Sequence, residues 1–243
     1  MLEYRYVLPM LEEARVQSHF LDVLGWGLTE CPTIPEFRYG PTAKREHLRA
    51  FVDQVVGGGP LVLVGASLGG AIAIDFALNF PKLVQGMVLL SPQAFTDKRS
   101  SPVMQLNGIA GMGAEVLRSN WLRRLAMKMS YENEEMRSSD DILKIGGLHC
   151  QKPGWKEAAV DFIKGEGYCI STRVRQVNCP TLVLWGEQDR VLPKKNAQRF
   201  VEEMATCRLQ YVENCGHSPH IEKPSLVTDN ILQFVRCRHH VSR

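Results

Sequence analysis

The segment Leu61-Val62-Leu63-Val64-Gly65-Ala66-Ser67-Leu68-Gly69-Gly70 constrains this chain more than any other. Four apolar, β-favouring residues run into a serine set in a G-x-S-x-G frame, and a helix-like stretch from Leu68 to about Asn79 follows at once. A strand that turns this sharply into a helix puts the serine in strained backbone, and small residues at Gly65 and Gly69 let strand and helix pass closely. The helix points its positive end at the serine and presents the Leu68 N–H beside it. A serine hydroxyl is a poor nucleophile at neutral pH. A reactive serine here therefore needs a base, a group that orients the base, and donors for an oxyanion.

The rest of the chain alternates between strand-like and helix-like segments. Leu2 to Ala14 has helical spacing with Pro9 as a kink, and Val16 to Val23 reads as a short strand followed by the turn Gly25-Trp26-Gly27. Lys44 to Val56 is an amphipathic helix closed by Gly57-Gly58-Gly59. Strands are predicted at 61–65, at Leu83 to Leu90, at Pro180 to Trp185 and, more weakly, at Cys207 to Val212, with helices at 68–79, Lys194 to Met204 and Ser225 to Arg236. Apolar strands alternating with helices argue for an α/β fold, a mostly parallel sheet covered on both faces. The 243 residues suit one domain with a large buried core.

Residues from about Ala94 to Thr172 break the rhythm. They lack strand signals, hold Gly108, Gly111 and Gly113, and carry Met- and Leu-rich helical segments. That is the character of a helical cap (94–172) inserted between two parts of a core (1–93 and 173–243). Met104, Met112, Leu117, Trp121, Leu122, Leu125, Met127 and Met129 either line an apolar pocket or form the cap's own core.

Composition excludes several classes. No run of about 18 apolar residues is present to span a membrane. The net charge of +3 is small and partly sits in the tail Arg236 to Arg243, which reads as a solvated end rather than a nucleic-acid contact. The seven cysteines form no C-x-x-C pair; they suggest free thiols in a reducing compartment, with neither a zinc site nor a disulfide framework. Helix-like sequence begins almost at Met1, so no signal peptide is expected before the fold. No cofactor or metal is expected, and no surface stripe indicates an oligomeric state.

An acid and a histidine each follow a late strand. Gly186-Glu187-Gln188-Asp189-Arg190-Val191-Leu192-Pro193 comes after strand 180–185, and Glu213-Asn214-Cys215-Gly216-His217-Ser218-Pro219-His220 after strand 207–212. In open parallel sheets those strand ends face the ligand crevice. The chain order Ser67, Asp189, His217 is the one expected of a genuine G-x-S-x-G elbow. Glu187 competes with Asp189, but Asp189 lies three residues past Gly186, far enough into the turn to reach back. His220 reads as a helix-start residue or one that supports the site from behind rather than as the base, and His19, His47 and His149 have no acid at telling spacing.

The elbow GASLGG, the turn GEQDRVLP, the segment NCGHSPHIEKP and the early LDVLGWGLT together resemble the α/β-hydrolase fold superfamily, near its esterase-like plant and bacterial members with a helical cap. The resemblance covers nearly the whole chain. It implies Ser67 as nucleophile, His217 as base and then acid, Asp189 holding the imidazole tautomer, and hydrolysis of a small or medium carboxylic ester through an acyl-enzyme. The serine argues against haloalkane dehalogenases and epoxide hydrolases, which carry aspartate there. Two other readings share the fold: a non-catalytic, receptor-like small-molecule binder or pseudoenzyme, and a carbon–carbon bond hydrolase or lyase using the same three residues.

One departure from the family pattern stands out. Family members open with a hairpin and a central strand ending in a His-Gly type loop, whereas this chain starts at the following helix. The loop's second oxyanion N–H is thus missing, a loss of about 2.7–4 kcal/mol or 10²–10³ in rate. The expectation is a truncated form, weak or inactive as a hydrolase, in which the strands resembling 16–23 and 61–65 pair directly or leave the chain unstable. The expectation is a soluble, cytoplasmic protein as the sequence stands, with the resemblance to plant members leaving the chloroplast open for a longer form carrying a transit peptide.

Overall fold

The computed structural model describes residues 2–32, 38–95, 107–165 and 167–239. After a 3₁₀ turn at Leu2–Tyr4, the described elements in chain order are α1 (Val7–Glu13), α2 (Pro41–Phe51), β1 (Leu61–Ala66), α3 (Leu68–Asn79) and β2 (Val84–Leu90). Five helices follow: α4 (Asn107–Arg118), α5 (Asn120–Ser130), α6 (Glu134–Ser138), α7 (Asp140–Gly147) and α8 (Trp155–Lys164). The chain then returns to β3 (Thr181–Gly186), α9 (Lys195–Glu203), β4 (Cys207–Val212), α10 (Pro219–Glu222) and α11 (Pro224–His239). No helix among the described residues is long and apolar enough to cross a membrane.

The four strands form one parallel sheet in the order β1-β2-β3-β4. Residues alternate across a strand, and here both faces are apolar because helices cover both. On β2, Met87 and Leu89 face one cluster with Ile74 and Phe76 of α3 and Phe200 of α9. Val88 and Leu90 face a second cluster with Val7 and Leu11 of α1 and Val227 and Ile231 of α11. On β3, Val183 and Trp185 divide from Leu182 and Leu184 in the same way. The parallel sheet with helices on both faces agrees with the sequence reading.

Three local expectations are corrected. Val16 to Val23 makes no ladder, although its residues alternate between half-buried and exposed from Val16 to Phe20: it joins none of the four strands among the described residues. It does not pair with β1, which forms one edge of the sheet among the described residues, and Leu61 to Val64 there remain only half-buried. Pro9 does not kink its helix: it falls in the first turn of α1, where its missing N–H is not needed. The helix predicted from Lys44 begins earlier, with Pro41 at its first position. It gives way at Phe51 to a π turn, Val52–Val56, closed by Gly57 at φ +95°.

The stretch between β2 and β3 is helical, with α4 packed on α8 and α5 on α6 and α7. Its apolar residues divide differently from either prediction. Met127 joins a small core with Tyr131, Leu143 and Ile221. Met112, Leu117, Trp121, Leu125 and Met129 are exposed instead of lining a pocket, and Met104 lies outside the described residues. Helical spacing sets which residues share a face but not what that face meets.

Candidate active site

All four strands run parallel, so the turns that follow them gather at one edge of the sheet. Ser67 sits between β1 and α3 at φ 49° and ψ −115°, a conformation that costs a non-glycine residue of order 1–3 kcal/mol. The turn is held from both sides. Ser67 N–H donates to the Leu90 carbonyl at 3.0 Å, and the Ser67 carbonyl accepts Gly70 N–H and Gln93 N–H, each at 3.0 Å. The strain is thereby anchored to the end of β2. A Cβ on Gly65 would lie 2.4 Å from the Gly69 carbonyl oxygen, so this position has room only for hydrogen. Gly69 departs from the expectation: a Cβ there would meet nothing within 4 Å, and the second tight site is Gly70, against Pro92.

The acid and histidine turns interlock. Glu187 N–H donates to the Val212 carbonyl at 3.0 Å and Gln188 N–H to the Cys215 carbonyl at 2.9 Å, tying the turn after β3 to the turn after β4. The Gln188 side chain adds a third link, accepting Cys215 N–H at 3.0 Å. Sequence reading passes over Gln188, because its partner stands 27 residues away. Where the turns cross, a Cβ on Gly186 would come within 1.8 Å of the Gly216 carbonyl oxygen.

From this frame Asp189 Oδ2 meets His217 Nδ1 at 2.8 Å, with both side chains nearly removed from solvent. Asp189 Oδ1 accepts Val191 N–H at 2.8 Å and Leu192 N–H at 3.0 Å. Burial alone would raise the Asp189 pKa. The bond to His217, the imidazole's charge and the two backbone donors outweigh it and hold the carboxyl below its ordinary value. An ionised carboxylate only accepts, so Nδ1 carries the proton and Nε2 is left with its lone pair. An imidazole held in this tautomer is equipped to take a proton from a neighbouring hydroxyl.

The structure therefore brings Asp189 and His217 together and sets Ser67 on its strained turn at the same sheet edge. Ser67 Oγ makes no hydrogen bond to His217 among the described residues, as is common before substrate binds. The Leu68 N–H opens the first turn of α3, where backbone N–H groups have no intrahelical acceptor. Glu187 is exposed and is not the acid at the histidine. His220 is buried in α10, stacked on Tyr4 with ring centroids 4.9 Å apart, and its Nε2 lies 3.4 Å from Glu3 Oε2. His149 stands between Trp26 and Trp155, and burial lowers its pKa to about 4.

With this geometry described, the likenesses to known proteins can be set beside it. The family model described as "Serine aminopeptidase, S33" matches residues 2–224. In sequence the chain is 32% identical over 237 residues to the α/β-hydrolase domain-containing protein VTE7 of Arabidopsis thaliana, a match covering 96% of this chain and 70% of that protein. In structure it is similar to an esterase from Exiguobacterium antarcticum, with a TM-score of 0.79 at 16% identity, covering 97% of this chain and 87% of the other. It is also similar to a meta-cleavage product hydrolase from Pseudomonas fluorescens IP01, with a TM-score of 0.76 at 20% identity, covering 97% and 85%. At those identities the structural likeness is one of fold.

Proposed function

The chain belongs to the α/β-hydrolase superfamily, and on that premise we propose that it is a serine hydrolase of small or medium carboxylic esters. Ser67 is the nucleophile, His217 the general base and acid, and Asp189 the group that holds the imidazole. Residues 1–93 and 173–243 form the core, and 94–172 the cap that selects the acyl or alcohol group. The observation that carries this reading is the 2.8 Å bond between Asp189 and His217, at the same sheet edge as the strained Ser67 turn.

His217 Nε2 takes the Ser67 hydroxyl proton as Oγ attacks the ester carbonyl, and the oxyanion draws on the Leu68 N–H at the positive end of α3. His217 then gives its proton to the departing alcohol, leaving an acyl-serine. A water molecule deprotonated by His217 attacks that acyl group, and collapse of the intermediate releases the carboxylic acid and restores the Ser67 hydroxyl.

A fluorophosphonate probe together with p-nitrophenyl esters tests this. Labelling is expected in the wild type, with ester turnover that is weak in keeping with the oxyanion donor found wanting in the sequence, and both are lost in Ser67→Ala and His217→Ala. A folded wild-type protein that neither labels nor turns over ester overturns the hydrolase reading in favour of a binding role. The fold shared with a meta-cleavage product hydrolase favours a second reading, carbon–carbon bond hydrolysis by the same residues. Labelling without ester turnover would support it.

A further inference from the structure

One short segment of the cap, Ser130 to Asn133, touches both turns that carry the Asp189–His217 pair. The Ser130 carbonyl accepts the His217 N–H at 2.6 Å. Glu222 at the end of α10 forks between the two parts of the molecule. Its Oε1 accepts the Gly216 N–H at 2.7 Å, and its Oε2 accepts the N–H groups of Glu132 at 2.7 Å and Asn133 at 2.9 Å. The side chain of Glu132 adds a tie to the acid turn: its Oε2 lies 2.7 Å from Nη2 of Arg137 and 2.7 Å from Nη2 of Arg190, the residue after Asp189. The approach is backbone-tight, since a Cβ on Gly216 would fall 2.4 Å from the Ser130 carbonyl oxygen.

A carboxylate suits this place because both oxygens face backbone donors and none of the three bonds asks it to donate. Such charge-assisted bonds are about twice as strong as neutral ones. A glutamine of the same shape offers one acceptor oxygen, and its NH₂ must turn toward N–H groups that are themselves donors. Either the Gly216 bond or the pair from Glu132 and Asn133 is then lost.

We propose that Glu222 is a positioning residue. Its carboxylate fixes the His217 turn to cap segment 130–133, so that seating of the cap sets the place of the imidazole. This rests on the reading of His217 as the base. Glu222 itself makes no hydrogen bond to Ser67 Oγ, Asp189 or the His217 ring among the described residues. A base displaced by as little as 1 Å can cost on the order of 10² in rate.

The test is Glu222→Gln, with Glu135→Gln as an exposed-carboxylate control from the same cap. Amide exchange at Gly216, Glu132 and Asn133 is expected to accelerate together, and the His217 Nδ1 proton resonance to move or broaden. The kcat for p-nitrophenyl esters should fall about 30–100-fold with KM within about twofold, while Glu135→Gln matches the wild type. Unchanged exchange at the three amides, or an unmoved His217 resonance, overturns the proposal whether or not the protein turns over ester. A wild type without turnover or labelling would instead overturn the hydrolase reading, leaving the exchange and resonance data to decide the role of Glu222. Should Glu222→Gln not fold, native-state exchange of the wild type decides. One common opening for the three amides supports the clamp, and separate openings overturn it.

Discussion

Asp189 reaches His217 with one carboxylate oxygen at 2.8 Å and holds its own turn with the other, through the N–H groups of Val191 and Leu192. Asparagine keeps the shape but not the acceptor capacity, and it lets the imidazole turn to the wrong tautomer. Asp189→Asn is therefore expected to lower kcat by about 10⁴ with the far-ultraviolet dichroism unchanged. Turnover within about tenfold of the wild type would remove Asp189 from the role given to it.

The same carboxylate predicts acid sensitivity. Its pKa is held below the ordinary value in the folded protein, so the charged form is the one the fold favours. The resulting stability is full above the unfolded carboxylate value of about 3.9 and is lost as pH falls through the lower folded value. Urea midpoints measured from pH 7 down to pH 3 should fall less steeply in Asp189→Asn than in the wild type. Equal slopes would mean that the pair does not form in solution.

At the elbow, two glycines that look alike in sequence should respond in opposite ways. A methyl group on Gly65 meets the backbone of Gly69 and Gly70, which cannot give without opening the turn. Gly65→Ala is expected to cost about 3 kcal/mol or more, by the overpacking it forces. Gly69 has open space around the same position, so Gly69→Ala should be neutral or should stabilise α3 by up to about 1 kcal/mol. Denaturant titrations of both variants decide, and equal losses would contradict the packing described.

The elbow shows why much of this molecule was legible in its residues. Four apolar residues, a turn and a helix form one continuous local signal, and the late strands announce Asp189 and His217 by ending in turns. What could not be read depends on neighbours distant in sequence. Val16 to Val23 carries a strand's alternation but pairs with no strand among the described residues. The tight glycine partner of Gly65 is Gly70, because Pro92 closes over it from a turn some twenty residues on. Gln188 and Glu222 gained no role from spacing, since each acts on backbone N–H groups of another segment.

Lys44 lies almost wholly buried on α2, donating to the Tyr39 carbonyl and standing 5.4 Å from the Phe162 ring centroid. Burial lowers its pKa to about 8, against an upward pull from Asp161 and Cys31. The unfolded chain keeps this proton up to about pH 10.4. The penalty of burying the charge is therefore full below pH 8 and relieved as pH rises from 8 toward 10. Relative to Lys44→Met, the wild type should gain about 2 kcal/mol of stability between pH 7.5 and 9.5. Parallel stability curves for the two proteins would show that Lys44 does not titrate there.

Trp121 and Met127 stand six residues apart on α5 and face opposite surroundings. Trp121 is 70% exposed, whereas Met127 is 7% exposed and packs with Tyr131, Leu143 and Ile221. Ile221 lies on α10 between His220 and Glu222, so this small cluster seats the helices between β2 and β3 beside the histidine turn. Met127→Ala should destabilise the helices between β2 and β3 by about 2–5 kcal/mol through the cavity it leaves, seen as faster limited proteolysis within that stretch. Turnover should fall with it as the seat loosens. Trp121→Ser should change stability by no more than about 0.5 kcal/mol and leave KM unaltered, because its ring stands largely in solvent. A KM raised by Trp121→Ser would place that ring in the substrate pocket after all, and the exposed face of α5 would then have to close over the site when ester binds.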